Sequence, residues 1–294
     1  MASWIGIEEF VAVAATGSFV GAARLLRLST SQVSRAIRQL EGRLDAPVLL
    51  RTTRKVTLTD TGRALLEPLR KLVNERDEAL AAASGGNNPK GDLRMTCSIG
   101  LGERFIAPIL RRYAEDHPQV NVVLDLTNRI VDLVGEGYDI AIRTGNLTDS
   151  SLMGTRIASR RLVLCAAPAY LARRGRPQSL NDLAQHDCLV GTADAWQFDV
   201  EGEKRSIYPR PRWSCNSGDA IASAAIAGMG LCQLPEFYVA DAIADGRLLT
   251  LLDDIRRADE PVWAVYPQRR HLLPKVQLLI ERLKAELGPA LARP

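Results

Sequence analysis

The sequence has little histidine and little cysteine. Its 294 residues include three His and five Cys, an odd number of cysteines, and no two cysteines stand in a CxxC pair. Disulfide-dependent domains and zinc sites both need more of these residues at regular spacings. The composition therefore argues against a disulfide scaffold and against a metal site. It also favours a reducing compartment.

Long apolar segments are missing as well. The 16 residues from Ala220 to Pro235 carry no charge, but they fall short of the ~20 apolar residues that a membrane-spanning helix needs. The first ten residues have no basic segment before an apolar run, and Glu8 and Glu9 come early, so we expect no secretory signal. These features predict a cytoplasmic protein that does not interact with membranes.

The net charge of +4 is unevenly distributed. Residues 1–90 hold 13 Lys and Arg against 9 Asp and Glu, whereas residues 91–294 hold 25 of each kind. A small basic segment joined to a larger neutral one favours a polyanionic partner for the first segment only. The apolar content of 46% and the charged content of 24% are ordinary for a globular protein.

The first 44 residues carry the pattern of three helices. Residues 7–14 have apolar residues at helical spacing, and Ser18 can cap a short second helix. Ser29 followed by Gln32 is a capping-box pattern, which predicts the start of a third helix. The apolar stripe of that helix comprises Val33, Ala36, Ile37, Leu40 and Leu44.

A hairpin and a long helix follow. Two β-prone runs, 48–50 and 55–59, flank a basic tip, and Thr59 or Asp60 then caps a helix that extends to about Ala83. The helix carries a heptad stripe with one polar break, which consists of Leu65, Leu69, Leu72, Arg76, Ala79 and Ala83. An exposed apolar seam of this kind predicts a homo-oligomer, although the stripe could also pack on its own domain. Residues 84–89 read as a linker.

Residues 91–294 alternate short strands with helices, which predicts mainly parallel sheets. Predicted strands include 93–99, 120–126, 139–143, 162–166 and 262–266. A helical piece is predicted at 130–135, and an amphipathic helix is predicted at 276–287. Because about 200 residues are long for one sheet, we expect an α/β domain with two lobes and a cleft between them.

The third helix has the chemistry of a DNA-reading element. Three helices and a basic hairpin are the parts of a winged helix-turn-helix, in which Arg, Ser and Thr on the third helix reach bases or phosphates. An ordinary solvated helix could carry the same face. The candidate DNA-binding residues are Thr30, Ser31, Ser34, Arg35 and Arg38 on the helix and Arg51 and Arg54 on the wing.

Several segments resemble LysR-type transcriptional regulators. They read FVGAARLL at 19–26, LSTSQVSRAIRQLE at 28–41 and LRTTRKVTLTDTG at 50–62, and the similarity continues through 93–118, 136–143 and 167–171. The resemblance implies a winged helix-turn-helix at 1–62, a linker helix and hinge at 63–90, and a two-lobed effector-binding domain similar to periplasmic binding proteins at 91–294. It further implies double-stranded DNA, a small-molecule effector and RNA polymerase as partners, and a homodimer or homotetramer.

The effector site is expected where parallel strands end, because ligands of α/β sheets bind beyond the carboxyl ends of strands. The candidate residues at four such ends are Ser98, Gly100, Thr127, Asn128, Arg143, Asn216 and Ser217. In family members, the positions similar to Ser98, Thr127 and the Asn216 loop line the cleft. Helices predicted to begin just after Gly102 and Ser217 would point free N–H groups inward, which favours a small anion or carboxylate.

Three other functions are compatible with parts of the sequence. A cysteine such as Cys97, Cys165 or Cys215 could serve a nucleophilic enzyme or a redox sensor, but these cysteines fall in or next to predicted strands, where buried inert thiols are common. Glycine pairs at 100–102 and 228–230 lack a full dinucleotide fingerprint, so no cofactor is predicted. A small-molecule-binding protein without DNA binding remains a further alternative. We expect a regulator rather than an enzyme.

Overall fold

The computed structural model describes residues 4–51, 56–83, 89–145, 152–268 and 273–292. Side chains at 51, 74–75, 78–79 and 81–83 lie outside this description. The chain divides into two compact units, Met1–Gly86 and Asn87–Pro294. The predicted linker at 84–89 falls almost entirely outside the described residues.

The first unit has the predicted order of helices and hairpin. Its elements are α1 (Ile7–Thr16), α2 (Phe19–Leu26), α3 (Thr30–Leu44), β1 (Leu49–Arg51), β2 (Val56–Leu58) and α4 (Asp60–Ala83). Local capping explains these boundaries. Ser18 Oγ accepts the N–H of Gly21 at 2.9 Å, and Ser29 and Gln32 form the reciprocal capping box that starts α3. The predicted capping box is therefore confirmed.

One face of α3 packs into the small core of this unit. Val33, Ile37 and Leu40 are buried with Phe10 and Val13 of α1. Leu44 was expected in the same stripe, but its side chain is 38% exposed because the helix ends there with Asp45 in the left-handed conformation. The opposite face of α3 is consequently left for solvent or a partner.

The hairpin is fixed to the helices at its base. Glu41 Oε1 accepts the N–H groups of Val48 at 3.0 Å and Leu49 at 3.3 Å. Thr59 Oγ1 accepts the N–H of Gly62 at 2.9 Å and so caps α4. A Cβ on Gly62 would lie 2.1 Å from the Val48 carbonyl oxygen, so this close approach of α4 to the hairpin requires glycine.

The stripe on α4 is only partly free. Leu65, Leu66 and Leu69 pack against the core of the first unit, which is the second arrangement that the sequence allowed. Leu72 and Leu80 are exposed, Leu80 by 63%. The polar break, Arg76, is bonded to Glu8 and Asp77. The side chains of Ala79 and Ala83 lie outside the described residues.

The second unit consists of two lobes, each built on a five-stranded sheet. The strands are β3 (Gly91–Cys97), β4 (Val120–Leu126), β5 (Ile140–Thr144), β6 (Leu152–Arg160), β7 (Leu162–Ala166), β8 (Cys188–Val190), β9 (Trp196–Val200), β10 (Glu203–Ile207), β11 (Pro211–Ser214), β12 (Leu231–Pro235), β13 (Leu249–Leu251) and β14 (Glu260–Pro267). Lobe I has the strand order β4-β3-β5-β14-β6, and lobe II has the order β11-β8-β12-β7-β13.

Helices cover the sheets of both lobes. They are α5 (Ile99–Leu101), α6 (Ala107–Asp116), α7 (Pro168–Arg174), α8 (Gly218–Ile226), α9 (Ala240–Ala244) and α10 (Pro274–Leu291). A π-helical segment, Gly102–Ile106, joins α5 to α6. Short 3-10 segments occupy Asn181–Gln185, Glu236–Tyr238 and Asp253–Ile255. Among the described residues, no helix is both long and apolar enough to cross a membrane.

The prediction of mainly parallel sheets was wrong, because half of the strand pairs in the two five-stranded sheets are antiparallel. β3 pairs in parallel with β4 and β5, but β14 runs antiparallel to both β5 and β6. In lobe II, β8 is parallel to β11 and β12, whereas β7 is antiparallel to β12 and β13. The cause is the path of the chain, which crosses from lobe I to lobe II at Arg161 and returns through 253–259. The returning strand therefore enters the first sheet in the opposite direction.

The helical piece predicted at 130–135 is also wrong, because this segment forms turns. Asp132 Oδ1 accepts the N–H groups of Val134 at 3.1 Å and Gly135 at 3.0 Å. The side chain thus satisfies backbone donors that a helix would have bonded internally.

The C-terminal helix is attached to lobe I through a buried ion pair. Lys275, at the start of α10, is 3% exposed, and its Nζ lies 4.0 Å from Asp139 Oδ2 and donates to the Asp92 carbonyl. Tyr113 Oη donates to the Lys275 carbonyl at 2.7 Å. These contacts join α10 and α6 to the sheet of lobe I.

Candidate functional site

The predicted residues of α3 lie together on the side of the helix that faces away from the core. Thr30, Ser31, Arg35 and Arg38 are exposed, and Ser34 is half-buried between them. Ser31 Oγ lies 2.9 Å from Ser29 Oγ, and Arg38 Nε donates to the Ser34 carbonyl at 3.3 Å. The surface therefore offers hydroxyl groups beside guanidinium groups, which is suitable for phosphate and base contacts.

The tip of the predicted wing lies outside the described residues. Arg51 ends β1, paired with Val56 in the antiparallel register, but its side chain is not among those described. Arg54 lies outside the described residues. The base of the wing is bonded to Glu41 of α3, and these bonds position the hairpin relative to that helix.

A cleft of about 930 Å³ lies between the two lobes of the second unit. Five of the seven residues predicted at strand ends are in its lining: Ser98, Thr127, Asn128, Arg143 and Asn216. Each follows a strand or lies near its end, and the sheets bring these ends to one edge, as expected for α/β folds. The volume is within the ~300–1,000 Å³ range of small-molecule sites.

The structure places the other two predicted residues away from the lining. Gly100 lies against Tyr238, so that a Cβ on it would be 1.7 Å from the Tyr238 hydroxyl. Ser217 caps α8 by accepting the N–H of Ala220 at 3.3 Å. Gly100 therefore makes room for a neighbouring ring, and Ser217 shapes a helix start.

The prediction that a helix begins after Gly102 was wrong, because the helix begins at Ile99 and Gly102 lies inside it. The Ile99 N–H at the new start is already bonded to Asn128 Oδ1 at 3.1 Å. At the other predicted helix start, Asp219 is paired with Arg104. The expected anion site at free helix ends is consequently weaker than the sequence suggested.

Arg143 is the most unusual polar group of the cleft. Its Nη2 is buried and has no hydrogen-bond partner within the part of the chain that the structure describes, and burial lowers the pKa of the guanidinium. Two other cleft arginines are paired, Arg129 with Glu136 and Arg160 with Glu260. Buried polar groups are nearly always hydrogen-bonded. An unmatched donor in the lining of a cleft is able to bind an acceptor of a ligand.

Trp196 supplies a second unmatched donor in the lining. The residue is 1% exposed, and its buried indole Nε1 has no partner among the residues that the structure describes. It belongs to β9, which pairs with β10 as a separate two-stranded hairpin, with Gln197 opposite Ser206 and Asp199 opposite Lys204. These four polar residues all line the cleft.

The sequence reading missed this hairpin, although a signal for it was present. Trp196-Gln-Phe-Asp-Val200 alternates apolar and polar residues, and Glu201 and Gly202 have φ values of 54° and 84°. Two central residues with positive φ are typical of the tight turn in a two-residue hairpin. Gln233 fixes the hairpin, because it accepts the Gln197 N–H at 2.7 Å and donates to its carbonyl at 2.9 Å.

Contacts across the cleft hold the two lobes together. The Asn128 amide of lobe I donates to the Asn216 carbonyl of lobe II. Arg104 pairs with Asp219 and lies 4.9 Å from the ring of Tyr238. That ring is confined between Gly100 of lobe I and Gly218 of lobe II. Asn128 was predicted to bind the effector, and its side chain here links the lobes.

The cysteines lie mostly in the interior. Cys97, Cys165, Cys188 and Cys232 are buried, and burial raises the pKa of Cys97 to about 12 and of Cys188 to about 11. Cys165 and Cys232 face each other across β7 and β12 with 3.6 Å between sulfur atoms. The sequence reading had found no cysteine pair, because this pairing depends on the sheet register. Among the described residues, no group of three or more His, Cys, Asp or Glu could hold a metal ion.

Comparison with known proteins matches both units to family models. Residues 6–63 match a model described as bacterial regulatory helix-turn-helix protein, lysR family, and residues 86–288 match one described as LysR substrate binding domain.

Individual relatives match along almost the whole chain. The transcriptional regulator PtxR of Pseudomonas aeruginosa is 34% identical over 289 residues, which cover 96% of this chain and 92% of PtxR. The transcriptional activator AaeR of Escherichia coli is 32% identical over 282 residues, with coverages of 94% and 91%. The structure of CrgA, a LysR-type transcriptional regulator from Neisseria meningitidis, is 28% identical with a TM-score of 0.57, and the match covers 96% of this chain and 99% of CrgA.

Proposed function

Because this chain belongs to the LysR family of bacterial transcriptional regulators, we propose that its exposed α3 face reads DNA and that its interlobe cleft binds the controlling effector. The chain is a DNA-binding transcriptional regulator with an effector-binding domain. Its family consists of oligomeric regulators, and a catalytic role is not proposed. We place the protein in the cytoplasm, where its DNA target is accessible.

We propose one role for each of the three segments that the sequence predicted. Residues 1–62 bind DNA, residues 63–90 form the linker helix and hinge, and residues 91–294 bind the effector. On α3, Arg35 is the proposed base-reading residue, and Thr30, Ser31, Ser34 and Arg38 provide base or phosphate contacts. Arg51 and Arg54 are assigned to phosphates or the minor groove. Arg51→Ala should therefore weaken binding to all sequences and reduce the salt slope by about one.

The effector is proposed to be a small carboxylate or another small anion. The observation that carries this proposal is the buried Nη2 of Arg143, for which no described residue is a hydrogen-bond partner. A guanidinium pairs with a carboxylate through two parallel hydrogen bonds. Ser98 and Thr127 add hydroxyl groups in the same lining. On the other lobe, the indole N–H of Trp196 also has no acceptor in the described residues, which favours a ligand with a second acceptor.

Effector binding is proposed to act through the lobes. A ligand that engages Arg143 of lobe I and Trp196 of lobe II binds the closed arrangement better than an open one, and so it shifts the population toward closure. Closure would change the geometry of the oligomer and thus the spacing of the DNA-reading helices. By analogy with the family, we also propose a homodimer through α4 and a homotetramer through the effector domains. Contact with RNA polymerase is proposed on the same ground.

The experiment is calorimetry of the full chain against a panel of small carboxylates. Arg143→Gln keeps much of the side-chain volume but removes the charge, so we expect the best carboxylate to lose at least tenfold in affinity, in line with ~1.5–3 kcal/mol for a hydrogen bond to a charged group. Ser98→Ala and Thr127→Ala should weaken the same ligand to a smaller extent. The matched control is Arg111→Gln, which removes an exposed arginine of α6 outside the cleft. Equal affinity in all variants would remove these residues from the effector site.

A further inference from the structure

Lobe II carries a second concave surface, which shares no residue with the cleft. It has a volume of about 340 Å³, and we call it the arginine pocket. Its lining includes three arginines that follow one another closely at the end of α7, namely Arg173, Arg174 and Arg176, together with Asp182 and His186. Three guanidinium groups against one carboxylate leave an excess positive charge in a concave site.

Backbone carbonyls hold all three guanidinium groups. Arg173 Nη2 donates to the Gly228 carbonyl at 2.8 Å, Arg174 Nη2 to the Gln185 carbonyl at 3.1 Å, and Arg176 Nη2 to the Thr250 carbonyl at 2.8 Å. Such bonds orient a guanidinium without neutralising its charge, and each group keeps further N–H donors. The side chains are thus positioned before any ligand arrives, which lowers the entropic cost of binding.

Carboxylates compensate this charge only weakly. Among the described residues, no carboxylate lies within ion-pair distance of Arg173 or Arg176, and Arg174 Nε is 3.9 Å from Asp187 Oδ2. Asp187 has a closer partner in Arg212, at 3.2 Å. Asp182 accepts the N–H groups of Gln178 at 2.8 Å and Ser179 at 2.9 Å, so its carboxylate is oriented by the local turn. Its single negative charge offsets only part of the charge of the three arginines.

His186 lines the pocket, and the proton on its imidazole ring is a further possible hydrogen-bond donor. Tyr170 Oη accepts the Asp187 N–H at 2.8 Å and lies 3.1 Å from His186 Nδ1. When the phenolic proton is donated to Nδ1, a neutral imidazole carries its own proton on Nε2. Burial and the charge of Arg174 lower the pKa of His186, against the opposite effects of Asp182 and Asp187, and this favours the neutral ring at pH 7.

We propose that the arginine pocket is a second ligand site of the effector domain and that it binds a small molecule carrying two or more phosphate groups. A single carboxylate would pair with one guanidinium and leave the other two unmatched. Several phosphate oxygens can accept from all three arginines and from His186 Nε2–H, and the fork of an arginine fits phosphate geometry. The site would give the regulator an input that is independent of the interlobe cleft.

The test uses inorganic pyrophosphate as the probe for the full-length protein at constant ionic strength. Isothermal titration should show saturable binding of one pyrophosphate per chain. Arg174→Gln should weaken it at least tenfold, whereas Arg111→Gln, which removes an exposed arginine of lobe I, should leave it unchanged. On binding, NMR titration of the imidazole should show a higher pKa for His186, because the anion stabilises the charged ring.

Three outcomes would overturn the proposal. Binding that Arg143→Gln abolishes while Arg174→Gln preserves it would place pyrophosphate in the cleft. Equal weakening by Arg174→Gln and Arg111→Gln would indicate general charge attraction. If Arg174→Gln weakened duplex DNA binding but left pyrophosphate binding unchanged, the surface would serve a polynucleotide rather than a small ligand. The carboxylate test of the cleft is separate, since it depends on Arg143.

Discussion

The ring of Tyr238 is confined between the two lobes, and a methyl group added at Gly218 would disturb it. Gly218 is the first residue of α8, and a Cβ there would lie 2.3 Å from Tyr238 Cζ, 2.5 Å from Cε2 and 2.6 Å from Cε1. The ring cannot easily recede, because its hydroxyl lies against Gly100 and Arg104 lies 4.9 Å from its centre. Gly218→Ala should therefore push Tyr238 toward lobe I.

The expected cost follows from the size of the overlap. Carbon atoms pack at ~3.5–4.0 Å, so the ring and the new methyl group must separate by roughly an ångström or more. Insertion of a methyl group into a packed site costs about 1–3 kcal/mol. In a domain of about 200 residues, each kcal/mol lowers the unfolding temperature by about 2–4 °C.

The assay is scanning calorimetry of the full chain, with Gly288→Ala as the matched control. A Cβ on Gly288 meets nothing within 4 Å, and the residue lies inside α10, so the same chemical change should be neutral or stabilising by up to about 1 kcal/mol. In a Tyr238→Ala background, Gly218→Ala should cost almost nothing, because the ring that it strikes is gone. A cost for Gly218→Ala that is unchanged by Tyr238→Ala would refute the reasoning.

Three further changes have definite expected results. Lys275→Met removes the buried ammonium group that lies 4.0 Å from the Asp139 carboxylate and should lower the free energy of unfolding by about 3–5 kcal/mol in urea titrations, whereas full stability would show that the pair is dispensable. Leu80→Glu places a charge on the exposed part of α4, so light scattering should show a smaller oligomer; an unchanged mass would exclude this stretch from the interface. At pH 8, iodoacetamide should modify the half-buried Cys215 before Cys97, whose buried thiol has a raised pKa of about 12 and stays protonated; rapid labelling of Cys97 in mass spectra would contradict this order.

Local features of the sequence predicted most of the first unit correctly. Caps such as Ser18 and the box formed by Ser29 and Gln32 act within four residues, so they can be recognised without the fold. Strand ends were similarly informative, and five predicted residues share one cleft because strand direction fixes the edge where they meet. The helix predicted at 130–135 was wrong for a local reason as well. The Asp132 side chain bonds to nearby backbone N–H groups and forms a turn instead.

Features that depend on distant partners could not be predicted. The antiparallel placement of β14 requires knowledge of where the chain returns to lobe I. Arg104 pairs with Asp219, 115 residues away, and Cys165 meets Cys232 only through the register of β7 and β12. Arg143 was predicted from its place at a strand end, but the lack of a described partner for its Nη2 depends on residues distant in the sequence.

The most direct test of the account measures DNA discrimination by Arg35→Ala. Genomic fragments bound by the wild-type protein would supply the operator, and competition mobility shifts would compare operator with unrelated duplex at a fixed salt concentration. The account predicts that Arg35→Ala loses about 1–3 kcal/mol of discrimination, roughly 5- to 150-fold, while the fold and the binding of unrelated DNA are retained. An unchanged ratio of operator binding to unrelated binding would contradict the assignment of α3 as the element that reads the sequence.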